Sequence, residues 1–373
     1  MKLLIIQPWF NAIGHPAQSL INMASAIGRN EQVEYLISQS NNSEHGEKYT
    51  GILKSWGEVE SFTVATPMGA SNTVRALLAL LCMRMRGRQY QRIFFFDSSL
   101  NVLALLWPLF SFLLPVERLG VLHLFAPNLR KGIRSRCGRI VIKRFLQRPE
   151  VKFYLRTDEL EQAWNNAHNN VEGRMCISTL PSLEIPDGPE FRHTLETEDT
   201  VKFGVLGQIR PGKGIEWLVP AFQRNKSLGK LAIAGEFNIP ETREQLSVLK
   251  DFDGFINRFM TETELLEQAA AQDYLLILYD LWDRRMESAV LYLAARVNRP
   301  VIVYGDSWCG RMVREFGCGI EAPSGHNETI ELLQRIPRPG SEEYDNLLKG
   351  MGSFRQAYSV NSLRGKVMRE LLD

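Results

Sequence analysis

The sequence predicts an α/β chain of two doubly wound parallel-sheet domains facing a cleft. Short apolar runs alternate with helix-length segments along its length, as β-α-β units require. The runs fall into two series, one on either side of residues 180–200. That stretch, LPSLEIPDGPEFRHTLETEDT, holds three prolines, a glycine and clustered charge, the composition of an interdomain linker. A length of 373 residues fits two or three domains.

In the first series, strands are predicted over 2–7 (KLLIIQ), 33–37 (VEYLI), 92–96 (RIFFF), 119–124 (LGVLHL) and 151–155 (VKFYL). Segments of helical length and composition lie between them, at 17–28, 72–87, 101–113 and 134–147. The second series has strands at 201–206 (VKFGVL), 230–234 (KLAIA), 274–278 (YLLIL) and 300–304 (PVIVY), separated by helical segments 214–223, 261–271, 286–297 and 309–316. Ligands of such sheets bind outside the carboxyl ends of the strands, so function is expected there. The stretch 100–116, LNVLALLWPLFSFLLPV, is uncharged over seventeen residues. It falls short of the ~20 residues of a membrane span, carries Pro108 in its middle and lies between two strands, so it reads as a buried or monotopic helix.

Composition supports a globular reading. Apolar residues make up 45%, charged residues 23% and aromatics 10%, which excludes disordered, collagenous and coiled-coil chains. Cys82, Cys137, Cys176, Cys309 and Cys318 form no C-x-x-C pair and no cluster with histidine. Neither a structural zinc nor a disulfide framework is expected, and a reducing, cytoplasmic compartment fits. Cys309 and Cys318 read as two buried thiols. The N-terminus, MKLLIIQPWFNAIGH, lacks a small-residue cleavage site and reads as a first strand rather than a signal peptide.

Charge is unevenly spread. Residues 61–149 hold fourteen Arg or Lys against Asp97 and Glu117 alone, although the whole chain nets only +2. Within that window, RKGIRSRCGRIVIKRFLQR at 130–148 has eight cations, no acid and interleaved Ile, Val, Phe and Leu. An amphipathic basic helix of this kind reads as a membrane-surface element, with Arg130, Lys131, Arg134, Lys143 and Arg144 as the residues expected to face an anionic leaflet. A second cluster, Arg84, Arg86, Arg88 and Arg92, adds to the basic pole. No helix-turn-helix, RNP or zinc pattern accompanies the charge, so nucleic acid is not the expected partner.

The segment most informative about chemistry is FGVLGQIRPGKGIEWLVPAF, 203–222. A strand ends at Leu206, a glycine-rich turn carries Gly207, Arg210, Gly212, Lys213 and Gly214, and a helix opens behind it. Two cations three residues apart at a helix N-terminus suit a diphosphate: backbone N–H groups and the helix dipole favour the anion, Arg offers a bidentate fork and Lys a point charge. An ordinary solvated turn is the alternative. The loop is neither a Walker A motif nor a G-x-G-x-x-G fingerprint, which argues against nucleotide hydrolysis and hydride transfer.

The octapeptide from Gly207, GQIRPGKG, resembles the G-x-x-R-P-x-K-G loop of family 4 glycosyltransferases. LAIAGE at 231–236 resembles the family's next strand with its glycine, and TETELLEQAAAQDYLLILY at 261–279 the helix and strand before the donor loop. ESAVLYLAARVNRPVIVY at 287–304 resembles the helix and strand after it. The resemblance implies the GT-B fold, two Rossmann-like domains. It implies an acceptor-binding domain over 1–180, on which a C-terminal helix (353–373) packs back, and a nucleotide-sugar donor domain over 200–350. Arg210 and Lys213 are then expected to bind the donor diphosphate and stabilise it as leaving group, with Gly207, Gly235, Glu236, Glu287 and Ser288 also on the donor side. Many members carry two glutamates seven residues apart in the donor loop; those positions fall on Arg285 and Leu293 here, so that signature is absent.

On the acceptor side, Gly14 and His15 resemble the family's first glycine-containing loop, and His123 matches a family histidine near the reaction centre, expected to orient an acceptor hydroxyl or touch the donor sugar. A satisfied core histidine is the bland reading of each. Asp97 and Asp280 end strands and read as satisfied turn residues, and no metal ion or cofactor is expected. The reading is a retaining, metal-independent transfer of a hexosyl unit from a nucleoside diphosphate sugar to a hydroxyl of a lipid-linked or envelope glycan, at the inner face of the cell membrane. Two alternatives stay open: an inactive glycosyltransferase-like binding subunit, kept alive by the missing glutamates, and a nucleotide-sugar epimerase on the same fold.

Overall fold

The computed structural model describes residues 2–10, 16–39, 44–65, 69–123, 127, 133–167, 176–181, 185, 200–237, 246–279 and 284–372. The chain divides into two compact units, one made of Met1–Pro186 with Val360–Asp373 and the other of Asp187–Ser359.

The first unit is built on seven strands, β1 (Leu3–Gln7), β2 (Val33–Gln39), β3 (Glu58–Thr63), β4 (Arg92–Phe96), β5 (Arg118–His123), β6 (Val151–Leu155) and β7 (Cys176–Thr179). They lie in the order β3-β2-β1-β4-β5-β6-β7 with every neighbouring pair parallel. The chain winds outward from β1 to β3, then returns to β4 and winds the other way. Right-handed crossovers therefore put α1 (Pro16–Ile27) and α2 (Glu44–Lys54) on one face of the sheet. The opposite face takes α3 (Ala70–Met85), α4 (Leu100–Leu113), α5 (Ile133–Leu146) and α6 (Asp158–Ala167). Sheet packing is tight: the rings of Phe94 and Tyr154 meet edge to face at 5.4 Å across β5, and a Cβ on Gly120 between them would stand 2.5 Å from Phe94.

The C-terminal helix Val360–Leu371 completes this core, burying Val360, Val367 and Leu371 with Leu20, Ala24 and Ile27 of α1. Tyr154 Oη donates to the Glu370 carbonyl at 2.9 Å, and Lys152 pairs with the Glu370 carboxylate. Burial works to raise the Glu370 carboxyl, but its hydrogen bond and ion pair with Lys152 outweigh that and hold it below the usual carboxylate range.

The second unit has six parallel strands, β8 (Lys202–Leu206), β9 (Lys230–Gly235), β10 (Phe255–Asn257), β11 (Tyr274–Ile277), β12 (Val301–Tyr304) and β13 (Gly319–Ala322), in the order β10-β9-β8-β11-β12-β13. The helices α7 (Ile215–Arg224), α8 (Glu262–Ala270), α9 (Ala289–Val297), α10 (Trp308–Phe316), α11 (His326–Leu333) and α12 (Glu342–Ala357) accompany it. The predicted class, α/β with two doubly wound parallel sheets, is the class observed.

Differences from the sequence reading are specific. Four strands it leaves out, β3, β7, β10 and β13, are the four edges of the two sheets. Of 353–373, expected as one helix, the described residues hold the end of α12 and the separate helix Val360–Leu371. Most of 180–200 lies outside the described residues. The 100–116 stretch forms the fourteen-residue α4, and no helix among the described residues is long and apolar enough to cross a membrane.

The second basic cluster is not the uncompensated pole that its local sequence suggests. Arg86 pairs with Glu60 at 2.9 Å, and Arg88 pairs with Glu34 at 3.0 Å and Glu60 at 3.1 Å. Arg92 donates to the Leu371 carbonyl. Glu34 is nearly buried; burial works to raise its carboxyl, but hydrogen bonds from Tyr90 and Lys2 and the charges of Lys2 and Arg88 hold it below the usual range. The acids come from β2 and β3, beyond the window over which the basic excess is counted.

Candidate functional site

The strand order of the second sheet reverses between β8 and β11, so their carboxyl ends flank the position where doubly wound sheets take ligands. Beyond Leu206 the chain turns at Gly207, with φ of 86°, and returns through Gly212 and Gly214, with φ of 81° and 76°. These left-handed conformations favour glycine. Gly207 N donates to the Ala234 carbonyl at 3.0 Å and Ile209 N to the Glu236 carbonyl at 2.8 Å, fastening the loop to the end of β9. That approach is so close that a Cβ on Gly235 would lie 1.9 Å from the Gly207 carbonyl oxygen.

The two loop cations converge on one ring. The Lys213 ammonium donates to the Leu206 carbonyl at 3.3 Å and stands 5.4 Å from the ring centre of Tyr279; the Arg210 guanidinium stands 5.8 Å from the same centre. Lys213 is 5% exposed, a rare condition for a lysine and one that favours an anionic partner. Glu216, in the first turn of α7, accepts from Gly212 N at 2.9 Å and holds the turn. On the other side of Tyr279, its hydroxyl lies 3.4 Å from Ser288 Oγ, and Ser288 caps α9 by accepting from Val290 N. Tyr279 thus links the glycine-rich loop at α7 to the start of α9.

Arg284 is anchored where the described chain resumes after Tyr279. Its side chain donates to the Tyr279 carbonyl at 3.0 Å, pairs with Asp306 and lies over the Tyr304 ring at 4.1 Å. Two cations beside the N-terminal ends of two helices form a strongly electropositive, oriented set of donors, suited to a phosphate or diphosphate.

Of the expected donor-side residues, Gly207, Arg210, Lys213, Gly235 and Ser288 fall at this place. Glu236 joins by its backbone while its side chain is exposed, and Glu287 is half-buried beside Ser288. Arg285 is exposed and Leu293 half-buried on α9. The sequence reading leaves out Tyr279 and Arg284. Tyr279 carries a usable signal, since it follows the end of β11 at the switch point. Arg284 carries none, because Asp306 and Tyr304 are reached only through the fold. Asp280 lies outside the described residues. Cys309 and Cys318 are the buried thiols expected, and burial pushes Cys318 up to about 12.

In the first unit, His123 ends β5, half-buried, with its ring 5.6 Å from Trp164 and 6.0 Å from Phe153. Desolvation pushes it down to about 4, so it is neutral at physiological pH and exchanges hydrogen bonds rather than charge. Asp97 follows β4 at a φ of 59°, buried, with the Arg156 guanidinium at 3.8 Å. Gly14, His15, Arg130 and Lys131 lie outside the described residues, as does the side chain of Arg134. On α5, Lys143 is half-buried and Arg144 exposed.

The two sheets, their strand orders and their interleaved helices define the GT-B fold. HepE of Anabaena, solved in complex with UDP, is similar over 100% of this chain and 99% of its own, with 14% identity and a TM-score of 0.69. The sucrose-phosphate synthase of Thermosynechococcus elongatus matches over the same shares, with 14% identity and a TM-score of 0.71. WaaG, a glycosyltransferase involved in lipopolysaccharide biosynthesis, matches over 99% of both chains, with 13% identity and a TM-score of 0.62. No protein-family model matches the sequence, and no curated protein matches it by sequence.

Proposed function

We propose that the chain is a retaining glycosyltransferase of the family 4 type that moves a hexosyl unit from a nucleoside diphosphate sugar to a hydroxyl of a lipid-linked or envelope glycan. The observation that carries the reading is the pairing of Arg210 and Lys213 on the glycine-rich loop at the β8/β11 switch point. HepE, which shares the fold, has been solved with UDP-glucose as well as with UDP, which supports a nucleotide sugar as donor.

In this reading the bond from the sugar's anomeric carbon to the diphosphate oxygen breaks while the acceptor oxygen bonds to that carbon on the same face. The acceptor proton passes to the departing diphosphate. Negative charge grows on the leaving group, where Arg210, Lys213 and the N–H groups opening α7 and α9 stabilise it without reorganising. Those two side chains supply the positive charge a divalent ion supplies elsewhere, so EDTA leaves the rate unchanged. His123, neutral, orients the acceptor hydroxyl by a hydrogen bond. The basic face of α5, with Lys143 and Arg144, holds the enzyme at the inner face of the membrane, on the cytoplasmic side.

The test is calorimetry with UDP, GDP and ADP on the wild type and on an Arg210→Ala/Lys213→Ala variant. One diphosphate binds, and the variant loses at least about a hundredfold in affinity, as two charge-assisted hydrogen bonds imply. A variant that binds as well as the wild type overturns the assignment of the loop. Arg285 and Leu293 in place of the glutamate pair favour a second reading, an inactive binding subunit; turnover of any nucleotide sugar eliminates it.

A further inference from the structure

The outer face of α4 is apolar and uncovered. Leu103, Trp107 and Phe110 point into the core, yet Leu105 is 66% exposed, Leu109 65% and Phe112 91%. Those three are spaced i, i+4 and i+7, so they form one ridge along the helix. The helix carries no charged residue at all. A ridge of large apolar side chains on a helix without charge marks an interaction surface rather than scattered surface hydrophobes.

The neighbouring helix decides what the ridge meets. Arg148 Nη2 donates to Ser111 Oγ at 3.1 Å, and a Cβ on Gly138 would lie 3.9 Å from Asn101 Oδ1. Both contacts join residues thirty-seven apart, so α4 and α5 run side by side in one parallel register. That register sets Lys143 and Arg144 level with Leu106 and Trp107, between Leu105 and Leu109 along the ridge. Neither cation has an ion pair among the described residues, and Ile140, 48% exposed, extends the apolar surface onto α5.

We infer that the α4 ridge inserts among the headgroups of an anionic bilayer, with Lys143 and Arg144 of α5 held at the phosphate level. The inference deepens the membrane part of the reading above and rests on it, but not on glycosyl transfer. Apolar residues flanked by unpaired cations at one level match an interface that is apolar below and anionic above. A second copy of the chain fits less well, because a two-fold contact would bring both sets of cations together. At fourteen residues, α4 lies in the interface and does not span it.

The full chain is mixed with phosphatidylcholine vesicles, with and without 30% phosphatidylglycerol as the probe, and floated at low and high salt. The wild type partitions onto the anionic vesicles and is released by salt. Lys143→Gln/Arg144→Gln lowers the partition coefficient about fivefold per cation, and Leu109→Glu/Phe112→Glu lowers it tenfold or more. Because the replaced apolar groups face solvent, thermal unfolding of that variant stays that of the wild type. Flotation that neither variant changes, or no flotation of the wild type, overturns the inference. So does a wild-type dimer that Leu109→Glu/Phe112→Glu converts to monomer, which would assign the ridge to self-association. UDP affinity measured on the same samples keeps the two readings apart: a protein that binds UDP but not vesicles loses this inference alone.

Discussion

His123 shows how a single residue's surroundings set its behaviour with pH. Its value falls from the ordinary 6.5 to about 4 because Trp164, Phe153 and the end of β5 take it out of water. Between those values the unfolded chain binds a proton that the folded chain does not, so stability drops as pH falls through the window. The full difference corresponds to about 3 kcal/mol. Urea unfolding of the wild type and His123→Gln at pH 7 and pH 4.5 should therefore show a larger acid loss for the wild type; parallel losses would show that His123 stays solvated. Tyr279 makes the complementary point: its place just past a strand end is readable, but the convergence of Arg210 and Lys213 on its ring comes only from the fold.

Elements differ in legibility according to where they lie. The nine strands read from the sequence are the interior strands of both sheets, largely buried and each built around an apolar run. The four that escape notice are the edges, of which β3, EVESFT, is half-exposed along its length. An edge strand pairs on one side only and tolerates polar residues, so it leaves no apolar run to find. Helix ends are legible where capping chemistry is explicit. At α8, Thr261 Oγ1 accepts from Glu264 N while Glu264 accepts from Thr261 N, a reciprocal box. Those hydrogen bonds, from the Thr261 backbone first and then its side chain, with Arg258 adding to them, hold the Glu264 carboxyl down to about 2. Thr261→Ala should cost about 1 kcal/mol of stability at neutral pH, read as a shift in the denaturant midpoint with the slope unchanged. An unchanged midpoint would show that packing alone holds the helix end.

For the molecule as a whole, the chain leaves its first unit at residue 186 and comes back to it at residue 360. The returning helix buries Val360, Val367 and Leu371, and its Glu370 meets Lys152, Ser178 and Tyr154. Ending the chain at Ser359 should therefore destabilise the first unit and spare the second. The expected outcome is early loss of amide protection in β1 and β6, with protection in β8 and β11 retained. Equal loss in both units would mean that they fold as one.

By itself the sequence determined the two-series α/β plan, the nine interior strands, the glycine-rich loop with Arg210 and Lys213, and the uncharged 100–116 stretch. All are local patterns, in which neighbours along the chain carry the signal. Only the tertiary structure decided the sheet edges, the contacts that dock the C-terminal helix and the place of Tyr279 and Arg284. It also decided which cations are spent in ion pairs: Arg86 and Arg88 meet Glu60 and Glu34 across the fold, whereas Lys143 and Arg144 have no ion pair among the described residues and stand beside an apolar ridge. Charge acts through space rather than along the chain, so a count over a sequence window cannot tell a neutralised cluster from a free one.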